Sequence, residues 1–259
     1  MSTKILLTIS YVGTAYCGYQ VQPNGITVQE MLNRAAEALF GFPCDIVGCS
    51  RTDSGVHARG FCATVAKKGE GHLACSIPAE RIPRAFNAHL PADIAVREAR
   101  VVPSDFHARY DVVSKEYEYL FYNAQERDPF LSERVWQLPQ PIDAQALARM
   151  QRAAAAFVGK QDFSAFRAAG ADTAEGDAVR TVLSACVTRE GNMISFRIAA
   201  DGFLYNMVRI MAGTLAAVAT GDLQPEDIPA ILESRDRRRA GRTAPACGLY
   251  LDRVTYPFD

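Results

Sequence analysis

The sequence has no surplus of charge of either sign: 28 Lys and Arg stand against 29 Asp and Glu, for a net charge of −1. That balance excludes a uniformly basic coat for nucleic acid, while leaving room for a local basic groove. The seven cysteines are an odd set, with no C-x-x-C pair and no Cys/His cluster at zinc spacing, so no metal site is expected. Reduced thiols in a cytoplasmic protein are the economical expectation. No secretory leader is expected, because Met1-Ser2-Thr3-Lys4 runs straight into the alternating Ile5-Leu6-Leu7-Thr8-Ile9. The most apolar stretch, Phe203 to Thr220, carries Arg209 and is marginal for a membrane span. There is also no G-x-S-x-G, no Walker loop and no dinucleotide fingerprint. No second carboxylate stands at a telling distance from Asp53, which leaves a glycosidase-type acid/base pair unsupported.

What is present is an ordinary globular mix, 49% hydrophobic and 22% charged, which excludes disorder and coiled coil. Ile5, Leu7, Ile9 and Tyr11 share one face of a first strand. Thr27-Val28-Gln29-Glu30 has the form of a capping box, with Val28, Met31, Leu32, Ala35 and Leu39 at helical spacing behind it. Strands over 44–50 and 60–66 flank the polar loop Arg51-Thr52-Asp53-Ser54-Gly55, and a short helix near 79–89 and a strand near 94–102 follow. The same order then recurs: a strand over 115–122, a helix capped by Asp143, two strands meeting at Glu190-Gly191-Asn192, helices over 204–219 and 225–233, and a strand over 248–255. Two β-α-β-β-α-β units in tandem predict an α+β architecture of two ferredoxin-like halves. Pairing of their open sheet edges would leave a central cleft. The boundary is expected near Pro103 to Asp105, giving halves 1–105 and 106–259, neither of them basic.

Three residues invite a chemical reading. Arg209 is the only charge between Asp201 and Asp222, in a helix apolar nearly all round; such a helix is buried, and a buried guanidinium needs an anionic partner. A structural ion pair satisfies that need, and so does a catalytic carboxylate held in its charged form. Asp53 is the candidate partner, although its neighbours alone describe a plain Asx-type turn. Tyr117 alternates with Tyr119 and Phe121, as core residues do; an aromatic at a strand end facing a cleft can equally stack on a base. The basic run Arg235-Asp236-Arg237-Arg238-Arg239, with Arg242 close by, reads either as a solvated helix end or as an RNA contact.

Taken in order, the motifs resemble those of the TruA family of tRNA pseudouridine synthases. Gly48-Cys49-Ser50-Arg51-Thr52-Asp53-Ser54-Gly55-Val56-His57-Ala58 resembles its G-R-T-D-x-G-V-H-A signature, and Tyr11-Val12-Gly13-Thr14-Ala15-Tyr16-Cys17-Gly18-Tyr19-Gln20 its opening Y-D-G-T-x-F/Y-x-G-W/F-Q. Phe106-His107-Ala108-Arg109 is similar to F-x-A-R, and Lys115-Glu116-Tyr117-Glu118-Tyr119 to K-x-Y-x-Y. Asp162 to Phe166, Phe203 to Arg209 and Ala244 to Leu251 complete the set, so the resemblance spans essentially the whole chain. Departures from the pattern include Cys49-Ser50 before Arg51, Tyr19 where tryptophan is frequent, Phe61-Cys62 for the usual Gln-Val, and a segment from Ala168 to Asp177 without basic residues.

The resemblance implies an isomerase that breaks the N1–C1′ bond of uridine and rejoins the base through C5, at positions 38, 39 and 40 of the tRNA anticodon stem-loop, without a cofactor. It implies Asp53 as the catalytic aspartate, Arg209 as the charge that keeps it ionised, and Tyr117 as the residue that packs on the target base. Arg51 is implied to assist base flipping, and Phe106, His107, Arg109, Arg167 and Leu249 to contact the substrate. It also implies a homodimer sharing a tRNA. The alternative from another class is a tRNA-binding or tRNA-folding module in which catalysis is secondary or lost.

Overall fold

The computed structural model describes residues 2–169 and 178–259. Its elements run β1 (Thr3–Tyr11), α1 (Val28–Phe40), β2 (Cys44–Gly48), β3 (His57–Lys67), α2 (Ile82–Asn87), β4 (Ile94–Pro103), β5 (Ser114–Tyr122), β6 (Trp136–Gln137), α3 (Ala144–Ala155), β7 (Gly159–Asp162), β8 (Val179–Glu190), β9 (Met193–Ala200), α4 (Met207–Thr220), α5 (Asp227–Ser234) and β10 (Leu249–Thr255). The architecture is α+β. The chain forms two compact units, one comprising Met1–Val113 with Leu251–Asp259 and the other Ser114–Tyr250.

In the first unit β4, β1, β3 and β2 lie side by side in that order, every neighbour antiparallel. This is the order that a β-α-β-β-α-β chain takes in the ferredoxin-like arrangement. β3 is long enough to serve two partners on the edge away from β1: its second half pairs with β2, with Val65 opposite Ile46, and β10 lies beside it where Arg59 meets Asp252 at 2.9 Å. Ile5, Leu7, Ile9 and Tyr11 are all buried, as their alternation predicts. Leu6 on the opposite face is buried too. The C-terminal tail folds back onto this unit: the Tyr256 hydroxyl donates to Ala108 O at 2.7 Å, and the Tyr256 ring packs on Phe106 and Phe258. α1 starts as the capping pattern requires, with Thr27 Oγ1 accepting from the Glu30 amide at 3.3 Å, while the Glu30 carboxylate is held by Arg34 at 2.6 Å.

The second unit orders its strands β5, β9, β8, β7, all antiparallel, with the two-residue β6 parallel to the end of β5. β6 and β7 escape the period-two reading because they are only two and four residues long. Tyr119, Phe121 and Trp136 form one ring cluster. α3 begins at Asp143, whose Oδ1 accepts from the Ala146 amide at 2.7 Å. α4 buries residues on every side, from Met207 to Ala219, which is what a helix with one charge in its length is expected to do. Among the described residues no helix is long and apolar enough to cross a membrane.

Candidate active site

In the first unit, Asp53 sits in the loop between β2 and β3, partly buried, with Thr52 buried before it and Ser54 exposed after it. Four hydrogen bonds from the end of β1 and the segment after it clamp this loop, and a fifth braces that segment. Tyr11 and Thr52 share a side-chain hydrogen bond of 2.7 Å, the Gly13 amide donates to His57 Nδ1 at 2.9 Å, and Ser54 Oγ donates to Tyr16 O at 3.1 Å. The Tyr19 amide donates to Thr52 O at 3.1 Å, and the Val28 amide at the start of α1 ties Gly18 O back at 3.2 Å. Gly13 and Gly18 make the approach sterically possible. A Cβ on Gly13 would stand 2.0 Å from Val56 O, and one on Gly18, whose φ is +83°, would stand 2.7 Å from Thr52 O. Sequence reading found no role for these glycines; the signal it lacked was that two motifs 40 residues apart lie backbone to backbone. Because His57 Nδ1 accepts a hydrogen bond, the ring proton sits on Nε2.

The departures at this loop are matched to one another. Tyr19 stacks on Phe61, ring centroids 4.3 Å apart. Cys49 Sγ accepts from the Cys62 amide at 3.4 Å, and the Cys49 amide returns a 2.8 Å bond to Cys62 O. Burial, with the neighbouring Cys49, pushes the Cys62 thiol up to about 12, and all seven cysteines are free thiols. Arg51, two residues ahead of Asp53, is exposed.

In the second unit, Tyr117 lies on β5 opposite Ile198, buried, with its ring edge-on to Phe203 at 5.0 Å. Arg209 lies in the first turn of α4 and is partly buried rather than enclosed. Its Nη1 donates to Asn206 Oδ1 at 2.7 Å and its Nε to Ala244 O at 2.8 Å. Asn206 stands at the N-cap position of α4 in the left-handed region, at φ +59°, and its side chain makes no cap bond to the helix but aims the guanidinium. The next carbonyl along, Pro245 O, accepts from the Tyr119 hydroxyl at 2.8 Å. Burial drives the Tyr119 phenol far above its usual range, and the Arg209 and Arg242 charges pull it partly back. The Ala244–Leu251 motif therefore fastens α4 to β5 by consecutive carbonyls, and Leu249 is buried at the start of β10. Sequence reading missed Asn206, and it missed Glu118, a buried carboxylate held by Ser195 Oγ at 2.6 Å and Arg197 Nε at 3.0 Å.

The remaining expected contacts divide by exposure. Phe106 is buried among Tyr256 and Phe258, His107 and Arg109 sit on the turn that follows it, and Arg167 is partly exposed. Of the Ala168–Asp177 segment, residues 170–177 lie outside the described residues. The basic run is tied to the fold around it: Arg235 pairs with Asp162 at 3.0 Å, Arg237 donates to Gly241 O at 2.9 Å, Arg238 pairs with Asp236 at 2.8 Å, and Arg242 lies 4.7 Å over the Trp136 ring. Among the described residues no three His, Cys, Asp or Glu side chains gather as a metal site would require.

A family model described as tRNA pseudouridine synthase matches residues 7–111 and 153–257. The chain is 45% identical over 253 residues to a tRNA pseudouridine synthase A of Acetivibrio thermocellus, covering 98% of this chain and 99% of that protein. It is 46% identical over 252 residues to one of Moorella thermoacetica, covering 96% and 98%. Among solved structures, a chain in a Cbf5-Nop10-Gar1 complex covers 83% of this chain and 44% of its own at 12% identity and a TM-score of 0.35, a likeness too remote to bear on fold or function. The clamped aspartate loop falls inside the first matched stretch and the arginine helix α4 inside the second, and the relatives align over nearly the whole chain: the chain belongs to the tRNA pseudouridine synthase family and is an isomerase of tRNA uridine.

Proposed function

We propose that the enzyme converts uridine to pseudouridine at positions 38, 39 and 40 of the anticodon stem-loop, with Asp53 as its catalytic aspartate. The observation that carries this reading is the clamp on the Asp53 loop: a solvated turn of that composition needs no buried glycine contacts, no tyrosine–threonine bond and no buried imidazole acceptor. Such over-determination is what fixing one carboxylate for chemistry requires. Arg209 supplies positive charge that favours the ionised aspartate, and its two fixed hydrogen bonds support an orienting role. Tyr117 packs on the target base, Arg51 assists its flipping, and His107, Arg109, Arg167, Phe106 and Leu249 belong to the substrate path. The aspartate loop lies in the half spanning 1–105, and the tyrosine strand and arginine helix in the half spanning 106–259. The working form is a cytoplasmic homodimer that shares its tRNA. Mapping pseudouridine chemically in an unmodified tRNA transcript tests this: product confined to positions 38–40 is expected. Product elsewhere overturns the positional assignment, and tight binding without product favours the tRNA-folding module instead.

A further inference from the structure

The first unit presents an aromatic ring that neither its fold nor the proposed chemistry uses. Tyr110 is 75% exposed, on the turn that follows β4. Phe106 and Ala108 anchor this turn from below, the first through its ring contact with Tyr256 at 5.0 Å and the second through its carbonyl, which accepts from the Tyr256 hydroxyl. With 106 and 108 turned inward, residues 107, 109 and 110 face out. The turn is closed by its own histidine: His107 Nδ1 accepts from the Arg109 amide at 3.1 Å and the Tyr110 amide at 3.3 Å, and the His107 amide donates to Asp111 Oδ2 at 2.8 Å. The His107 ring then lies 4.2 Å from the Tyr110 ring, tilted by 32°, and covers one of its faces. The Arg109 guanidinium stands 6.0 Å from the same ring, and Lys4 Nζ, bonded to Phe106 O at 3.3 Å, adds a second cation at the base of the turn.

We propose that Tyr110, backed by His107 and flanked by Arg109, is a stacking platform for an unpaired nucleobase of the tRNA, distinct from the base that reacts. This deepens the tRNA reading above and rests on it. An aromatic fixed in place and left open on one side loses little entropy when a base stacks on it, and every base offers a π-face, so the contact grips RNA without selecting sequence. Arg109 adds attraction to the neighbouring phosphate. A folded protein partner would bury the ring as well, but a lone ring on a polar turn offers it no apolar surround of the kind interface cores have.

The test uses the full-length enzyme, an unmodified tRNA transcript, and the variants Tyr110→Ala, Tyr110→Phe and Arg109→Ala. Binding is measured from about 50 to 200 mM salt, alongside single-turnover pseudouridine formation at saturating enzyme. Tyr110→Ala is expected to weaken binding about ten- to hundredfold with an unchanged salt slope, and to leave the saturated single-turnover rate intact. Tyr110→Phe should bind as wild type does. Arg109→Ala should lower the salt slope by about one. All three variants should melt with the wild type, since none of these side chains is buried. Unchanged binding by Tyr110→Ala overturns the platform, as does an equal loss in Tyr110→Phe or a slowed saturated rate with unchanged binding. Wild-type enzyme that neither binds nor modifies the transcript sinks the tRNA reading itself, and the platform with it.

Discussion

The two units hold the residues proposed for the chemistry by opposite means. The first keeps Asp53 on a loop, and a loop does not fix its own side chains; hydrogen bonds and close glycine contacts from the segment after β1 do so from outside. The second keeps Tyr117 on a strand and Arg209 on a helix, where the element's own ladder sets the backbone and one or two neighbours finish the aim. Damage to the first unit's site should therefore come from residues far away in sequence. Damage to the second should come from residues within a turn or two of the site, or from the single segment Ala244–Pro245.

The largest expected effect tests that contrast directly. Gly13→Ala puts a Cβ 2.0 Å from Val56 O, and Gly213→Ala puts one 1.7 Å from Arg242 O. Each should cost about 3 kcal/mol or more in urea unfolding. Assayed well below their melting transitions, Gly13→Ala should lose pseudouridine formation far beyond its folded fraction, because the aspartate loop must shift. Gly213→Ala, one turn from Arg209 and pressed against the carbonyl of Arg242 just before Ala244, should also lose activity beyond its folded fraction, as a change close to the second site must; a loss only in step with unfolding would break the comparison.

Asn206 sharpens the second half of the comparison. Asn206→Gly keeps the left-handed cap at φ +59° and deletes the Oδ1 that holds Arg209. Its stability should stay within about 1 kcal/mol of wild type, while Asn206→Ala, strained at that φ, should lose about 1–2 kcal/mol. Both should lower the rate by a similar factor, about tenfold. A Gly variant with full activity would show that the guanidinium needs no aim from Asn206.

How legible these features are in sequence follows the same division. Arg209 stands out in one dimension, as a lone charge in an apolar helix, and the structure places it in α4 with polar partners on both sides. The regular elements are equally legible, since the alternation in β1, the cap at Thr27 and the turn at Gly191 are local signals. β6 and β7 are too short to show a period, and the return of the tail, with Tyr256 bonded to Ala108 O, is a long-range event. Asp53 by composition is a turn aspartate, and only resemblance singles it out. Its clamp is invisible locally, because Gly13 and Gly18 acquire meaning from the distant carbonyls of Val56 and Thr52.

Smaller effects probe the clamp's individual bonds. Tyr11→Phe removes the 2.7 Å bond to Thr52 and should cost about 1 kcal/mol, with some loss of activity. Tyr19→Phe should do the reverse. The Tyr19 hydroxyl is buried with no hydrogen-bond partner among the described residues, so removing it should leave stability unchanged or raise it by up to about 1 kcal/mol, read in the same urea titration. A clear loss in Tyr19→Phe would mean that the hydroxyl, and not only the stack on Phe61, holds the loop.

The central claim is that one carboxylate, fixed in the first unit's loop, performs the isomerisation. Asp53→Asn tests it most directly, compared with wild type in single-turnover pseudouridine formation on unmodified tRNA. The account predicts no detectable product from the variant, with tRNA binding within about threefold of wild type and unchanged melting. Product formed at the wild-type rate by Asp53→Asn would contradict it.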